Sequence, residues 1–223
     1  MKLRKSLVSV LALGSIFVSA QTSFASEVQG NNVEKAISTS LDLTENNPNT
    51  VVSEVLTFDE LAKQISEDNG ISQFEAANQI MKSYNSNKSR SAESVSPLAA
   101  TFRTIGQTIS VKSNYNPTVN FYCETSEGGG YWGIVKILNI SIDRADPVTG
   151  KSYKFGGTIF ANLETAAKIH YIVEGDWYLT ATISRNTGVN IPVGASGGVS
   201  FSLSSTSDWF AYAYRVGDII TQR

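Results

Sequence analysis

One cysteine and one histidine in 223 residues exclude more chemistry than any motif in the chain supplies. The lone Cys123 rules out an internal disulfide framework, CxxC redox chemistry and cysteine-rich zinc sites. It also lies too far from the start to be a lipid-anchored first residue of a mature chain. The lone His170 means that any Ser-His-Asp or Cys-His mechanism must use that imidazole. No long apolar run follows the first 25 residues, so no transmembrane segment is expected, and no C-terminal sorting signal or hydrophobic tail is visible. The glycines at 128–130 and 194–198 are followed by no GK[ST] and open no helix, so they read as strand connections rather than phosphate loops.

What is present begins with an export address. Lys2, Arg4 and Lys5 precede an apolar core at 7–18, and Ser23-Phe24-Ala25 forms an A-x-A-like cleavage site, so residues 1–25 read as a secretory signal peptide. A secreted, extracellular protein is therefore expected, with a signal of Gram-positive bacterial type. Removing the signal takes away three of the 18 basic residues and none of the 20 acidic ones, leaving a net charge near −5. Residues 26–100 then carry 11 acidic and five basic residues, and 101–223 carry nine and ten. An acidic front and a neutral back lack the basic face that nucleic acid requires.

Residues 26–53 are polar with no sustained period and are expected to be largely disordered. Thr57-Phe58-Asp59-Glu60 is a capping box opening a helix over about 57–69, which Gly70 stops. Ser72-Gln73-Phe74-Glu75 repeats the device for a helix over about 72–84, with Phe74, Ala77, Met81 and Tyr84 on one side. The pair predicts an α-hairpin. A DNA-reading helix-turn-helix does not fit, because the second helix opens on Glu75 and has only Lys82 near its end. Residues 85–100 are a Pro-containing linker, and Lys88-Ser89-Arg90 within it is a candidate protease site. Residues 26–100 thus read as an acidic leader, either a pro-segment or a tethered accessory.

From 101 to 223 the rhythm is that of strands, and a β-sandwich domain of about eight or nine antiparallel strands is predicted, with a flattened barrel the rival. In 165–184 the apolar residues Ala167, Ile169, Tyr171, Val173, Trp177, Leu179, Ala181 and Ile183 all fall on odd positions. A hairpin turning at Glu174-Gly175-Asp176 would place all eight on one face. A turn at 146–149 similarly predicts Ile142 opposite Tyr153 and Ile140 opposite Phe155. Trp132, Ile134, Leu138, Ile140 and Ile142 share even positions, and Phe210, Tyr212, Tyr214 and Val216 share one face of the last strand.

Candidates for chemistry are few. His170 falls on the non-core face of its strand with neither nucleophile nor orienting acceptor in view, so it reads as a surface or subunit-contact residue. Cys123 shares parity with Val119 and Phe121 and reads as a buried, inert thiol. The carboxylate pairs Asp143/Asp146, Glu174/Asp176 and Glu124/Glu127 sit where turns are predicted, and the first offers a weak Ca²⁺ pattern without the density of an EF-hand loop. No catalytic residue, metal site or cofactor is assigned.

Aromatics are the remaining signal, and Tyr122, Tyr178 and Trp209 are the candidates for an outward platform suited to sugars or a partner surface. The leading functional expectation is a non-enzymatic protein that binds at a cell surface or in extracellular matrix, to a cell-wall glycan or a protein. The alternative is an antimicrobial or pore-forming β-protein controlled by the leader, suggested by the serine alternation of GGVSFSLSSTS. A hydrolase is the third reading.

Overall fold

The computed structural model describes residues 48–85, 97–146, 149–185 and 189–221. The export signal, the polar stretch to residue 47 and the basic tripeptide at 88–90 lie outside these. A short strand β1 (Thr50–Val52) leads to helices α1 (Phe58–Asn69) and α2 (Gln73–Asn85), and a single 3-10 turn precedes the β-domain. There follow β2 (Thr101–Thr108), β3 (Thr118–Gly128), β4 (Tyr131–Asp143), β5 (Lys154–Thr165) and β6 (Lys168–Tyr178). The chain continues with β7 (Thr182–Arg185), β8 (Ile191–Pro192), β9 (Ala195–Ser204) and β10 (Trp209–Ile220).

Ten antiparallel strands form two five-stranded sheets, in the orders β1-β2-β3-β4-β8 and β10-β6-β5-β9-β7. The predicted β-sandwich is the architecture found. Between the sheets lies the main core. Ile105, Val119, Phe121, Ile134 and Ile140 face Phe155, Ile159, Leu163, Ile169, Val173 and Trp177 across it. Cys123 is fully buried in this layer, and burial pushes its thiol up, away from the reactive thiolate.

The alternation in 165–184 is real, but its topology differs from expectation. β6 runs straight through Glu174-Gly175-Asp176, and the hairpin turns instead near Ala166, where Thr165 pairs with Lys168. A straight strand keeps the same odd parity as a three-residue loop, so the pattern could not separate the two. Leu179 lies past the strand end and is exposed. Gly175 is the residue that misleads. It pairs directly with Gly157 of β5, and a Cβ there would stand 2.4 Å from the Gly156 carbonyl and 2.7 Å from the Phe155 ring. This glycine makes room for an aromatic ring rather than a turn.

β4 and β5 likewise lie in different sheets, joined only by a local Ala145–Ser152 bridge rather than as a hairpin. Ile140 and Ile142 pair with Phe121 and Val119, while Phe155 pairs with Trp177. Side chains that face each other across a sandwich alternate just as cross-strand neighbours do, which is why the expected register looked consistent. Within β4 two bulges opposite β3 shift the parity, so Ile137 enters the main core and Leu138 points to the other face. The β3–β4 connection is a two-residue turn at Gly129 and Gly130, with φ of 58° and 93°, as a type I′ hairpin requires.

On the other face of the first sheet sits the helical hairpin. Thr57 caps α1 through a reciprocal capping box with Glu60, as predicted, and Gly70 closes the helix. Phe58, Leu61, Ile65, Ala76 and Ile80 close over Phe102, Tyr122 and Leu138 in a second core. Fully buried residues such as Leu61 and Ile80 contribute about 1.5–3 kcal/mol each. The helices and the strands cluster as one unit, so the hairpin is a third layer on the β-domain. The segment expected to be disordered contributes β1, which pairs with β2. The expected stripe of α2 is rotated. Ala76, Gln79, Ile80 and Ser83 are buried, whereas Phe74 is exposed. Polar groups account for this, since Asn139 Nδ2 donates to Gln79 Oε1 at 3.1 Å and the Ser83 hydroxyl reaches the Val189 carbonyl at 3.0 Å. These polar residues of α2 are cross-links to the β-domain.

The strand assignment of Gly175 is directly testable. Replacing Gly175 by Ala forces the β5–β6 pair apart and lowers stability in urea unfolding by about 1–3 kcal/mol. A turn glycine would tolerate the change within about 0.5 kcal/mol.

Candidate functional site

Because odd residues of β6 face the core, its even residues face outward, and the registers carry that parity across the second sheet. Four rows result. Tyr214, Glu174, Thr158 and Ser200 stand side by side, as do Val216, Ile172, Phe160 and Gly198. Asp218, His170, Asn162 and Ser196 form a third row, and Tyr212 stands beside Asp176 and Gly156 in the fourth. Among the described residues no helix or strand packs on this face.

β10 is the edge strand, and it supplies most of the aromatic surface. Tyr212 and Tyr214 are 51% and 50% exposed, Trp209 is 60% exposed, and Val216 is similarly open. Their inward neighbours are Ala211 and Ala213, which fit against the large rings of Trp177 and Tyr115 in the core. Small residues had to face in here because β6 already fills the layer. A register shift at Phe210 divides the strand. Phe210 turns back to stack on Tyr153 at 3.8 Å between ring centroids, while Tyr212 onward faces out. The sequence placed Phe210 with Tyr212 and Tyr214 on one face, and the bulge separates them.

The exposed rings are held in place by carboxylates. The Trp209 indole donates to Asp176 Oδ1 at 2.9 Å, and the Tyr212 hydroxyl donates to Glu174 Oε1 at 2.9 Å. The Glu174 contact also pushes the Tyr212 phenol up, so it stays a donor. Each carboxylate keeps acceptor capacity for a second donor from outside. At the far end of the face His170 Nδ1 meets Asp218 Oδ1 at 2.7 Å, and Lys168 bridges Asp218 and Glu164 at 3.3 and 2.8 Å. Partial burial alone would raise the Asp218 carboxyl, but the hydrogen bonds from His170 and Lys168 outweigh it and hold it below its ordinary value.

Of the three aromatic candidates, Trp209 and Tyr178 are antiparallel partners at one end of this face. Tyr122 is not part of it. It is fully buried in the first sheet beneath the helices, where its hydroxyl meets Ser141 at 2.8 Å and donates to Asp68. Its even position on β3 faces the α-hairpin, which the sequence reading had left as a separate segment. Tyr212, Tyr214, Ile172 and Phe160 are the members that reading missed. The signal for them was the small inward residues of β10, Ala211 opposite Trp177 and Ala213 opposite Gly175, visible only once β10 is placed next to β6.

The remaining candidates resolve by geometry. The imidazole of His170 touches Asp218, and among the described residues its other nitrogen meets no hydroxyl or thiol. Both Asp146 oxygens accept backbone N–H groups, from Asn116 and Thr149, each at 2.7 Å, and Asp143 accepts from Ala145. These carboxylates stabilise the turn instead of converging on one point. Glu127 is paired with Arg103 at 2.9 Å, which holds its carboxyl below the usual range, and Glu124 is paired with Lys136 at 2.8 Å. Glu174 and Asp176, predicted at a turn, are on a strand two residues apart and face the same way.

The Asp218 contacts give a pH signature. Its folded-state pKa is depressed from 3.8, so its contribution is present above the unfolded value and is lost as pH falls through the lower folded value. Asp218→Asn therefore lowers the urea midpoint at neutral pH, and the gap to the wild type closes on acidification below 3.8. A gap independent of pH contradicts the assignment.

Compared with models of protein families, with curated proteins and with solved structures, the chain matches none.

Proposed function

We propose that the protein is secreted and acts without catalysis, holding a glycan of the cell wall or extracellular matrix on the outer face of its second sheet. The observation that carries this reading is the run of half-exposed rings, Trp209, Tyr212 and Tyr214, two of them fixed by Asp176 and Glu174. Aromatic rings cover the apolar faces of sugars, and fixed carboxylates accept sugar hydroxyls. Pinning the rings beforehand reduces the entropy lost on binding. The face is uncovered across four strands, which suits an extended chain better than a small molecule. Glu174 and Asp176, in no ion pair among the described residues, make its aromatic part acidic, which favours neutral or amino sugars over anionic polymers.

A leader-controlled antimicrobial or pore-forming protein is the second reading, and one observation favours it. The hairpin and β1 together cover Phe102, Tyr122 and Leu138 and the edge of β2, so their removal would bare an apolar face beside an unpaired strand. Against it, β9 with its alternating serines is paired on both sides, to β5 and β7, and would have to leave both partners to insert. Vesicle leakage after separation of the hairpin from the β-domain supports this second reading, and its absence removes it.

Retention on insoluble cell-wall and matrix polysaccharides tests the first reading. Tyr212→Ala and Tyr214→Ala each weaken binding about 5- to 30-fold, as central aromatic anchors do, while unfolding stability stays within about 0.5 kcal/mol of wild type because the rings are exposed. Unchanged retention of both variants contradicts the proposal.

A further inference from the structure

A second site lies at one end of the sandwich. Where the turn between α1 and α2 overhangs the ends of both sheets, there is a cavity of about 370 Å³. Asp68 and Glu75 reach it from the helices, Arg144 and Lys154 from the strand ends, and Ile183 and Phe201 from the second sheet. The volume is at the small end of those that hold small molecules.

Its charges are arranged unusually for a protein surface. Arg144 and Lys154 are both half-buried, yet among the described residues neither has a carboxylate within ion-pair distance. Partly desolvated cations without an anion are costly and invite one from outside. The acidic side is equally incomplete. The Tyr122 hydroxyl and Asn120 Nδ2 both donate to the same oxygen of Asp68, Oδ2, which leaves Oδ1 with no donor among the described residues. Burial, with Asp143 nearby, raises the Asp68 carboxyl above its ordinary value. An incoming ammonium group would meet Oδ1.

We propose that this cavity binds a small apolar zwitterion, an amino acid or dipeptide, with its carboxylate on Arg144 and Lys154, its ammonium on Asp68 and Glu75, and its side chain against Ile183 and Phe201. Guanidinium and ammonium groups bind carboxylate through charge-assisted hydrogen bonds, and Arg144 can do so in bidentate fashion. Neither group of the ligand needs a metal or cofactor. Only Lys154 also borders the aromatic face, as the β5 partner of Tyr178, so loss of binding in the Asp68 variant reports on the cavity alone.

Thermal unfolding and calorimetric titration of the intact protein with leucine, Leu-Leu and Phe-Ala test it, with N-acetyl-leucinamide as the uncharged control. At least one zwitterion raises the melting temperature saturably, and the control does not. Arg144→Gln with Lys154→Gln weakens that binding at least tenfold, as does Asp68→Asn. Asp68→Asn keeps an oxygen for Tyr122, so the ligand-free variant is as stable as wild type at neutral pH or more so. Glu75→Gln, at an exposed position, provides a variant that leaves the fold intact and weakens binding by a smaller factor. No shift with any zwitterion, an equal shift with the control, or full affinity in the Asp68 and Arg144/Lys154 variants overturns the proposal.

Discussion

The close approach of β5 and β6 at Gly157 and Gly175 sets the rest of the second sheet. Phe155 lies over the glycine pair, Trp177 packs on Phe155 at 4.9 Å between ring centroids, and Tyr115 meets Trp177 at 5.2 Å. So much aromatic volume in one layer leaves little for the neighbouring strand. β10 answers with Ala211, Ala213 and Gly217 on the inside, and a Cβ at Gly217 would stand 2.6 Å from the Tyr171 hydroxyl. Close packing fixes which face of β10 is inward over 211–217, and Tyr212, Tyr214 and Val216 are left outside. The exposed rings thus follow from where the core is full.

The helices do for the first sheet what nothing among the described residues does for the second. Their hold combines an apolar contact layer with polar groups that reach into it. Thr104 Oγ1 donates to Gln64 at 2.8 Å, Asn190 Nδ2 donates to the Ser83 carbonyl, and Lys136 lies 3.8 Å from the Tyr84 ring centre while paired with Glu124. Buried polar contacts fix register, because any slip leaves donors unpaired. They also carry Asp68 to a fixed place at the end of the sandwich, where Tyr122 and Asn120 fasten it. Layering and the cavity are therefore two results of one docking arrangement.

Much of this was legible in the residues. The capping box at Thr57, the stop at Gly70, the odd parity of Ile169 to Trp177 and the inert burial of Cys123 all follow from local rules, and all are found. What failed was connectivity. A three-residue loop and a straight strand give Val173 and Trp177 the same parity, and a hairpin and a sheet-changing arch give Ile140 and Phe155 the same opposition. Bulges are the other blind spot, since the extra residues in β4 and at Phe210 reverse parity without any signature in composition. Tyr122 was placed outside because the helices were read as a separate segment. The aromatic face could be foreseen as a property of the domain, but its members could not be chosen before β10 was set beside β6.

Chemical modification of the aromatic residues, read by peptide mass spectrometry with and without bound cell-wall glycan, reaches the central claim most directly. Tyrosine nitration and tryptophan oxidation should modify Tyr212, Tyr214 and Trp209 rapidly in the free protein and slowly in the complex. Tyr115 and Tyr122, which are fully buried, should resist in both states, and Tyr131 on the β3–β4 turn, 76% exposed, should react in both. Protection of Tyr212 and Tyr214 in the free protein, or equal reactivity with and without glycan, would contradict the account.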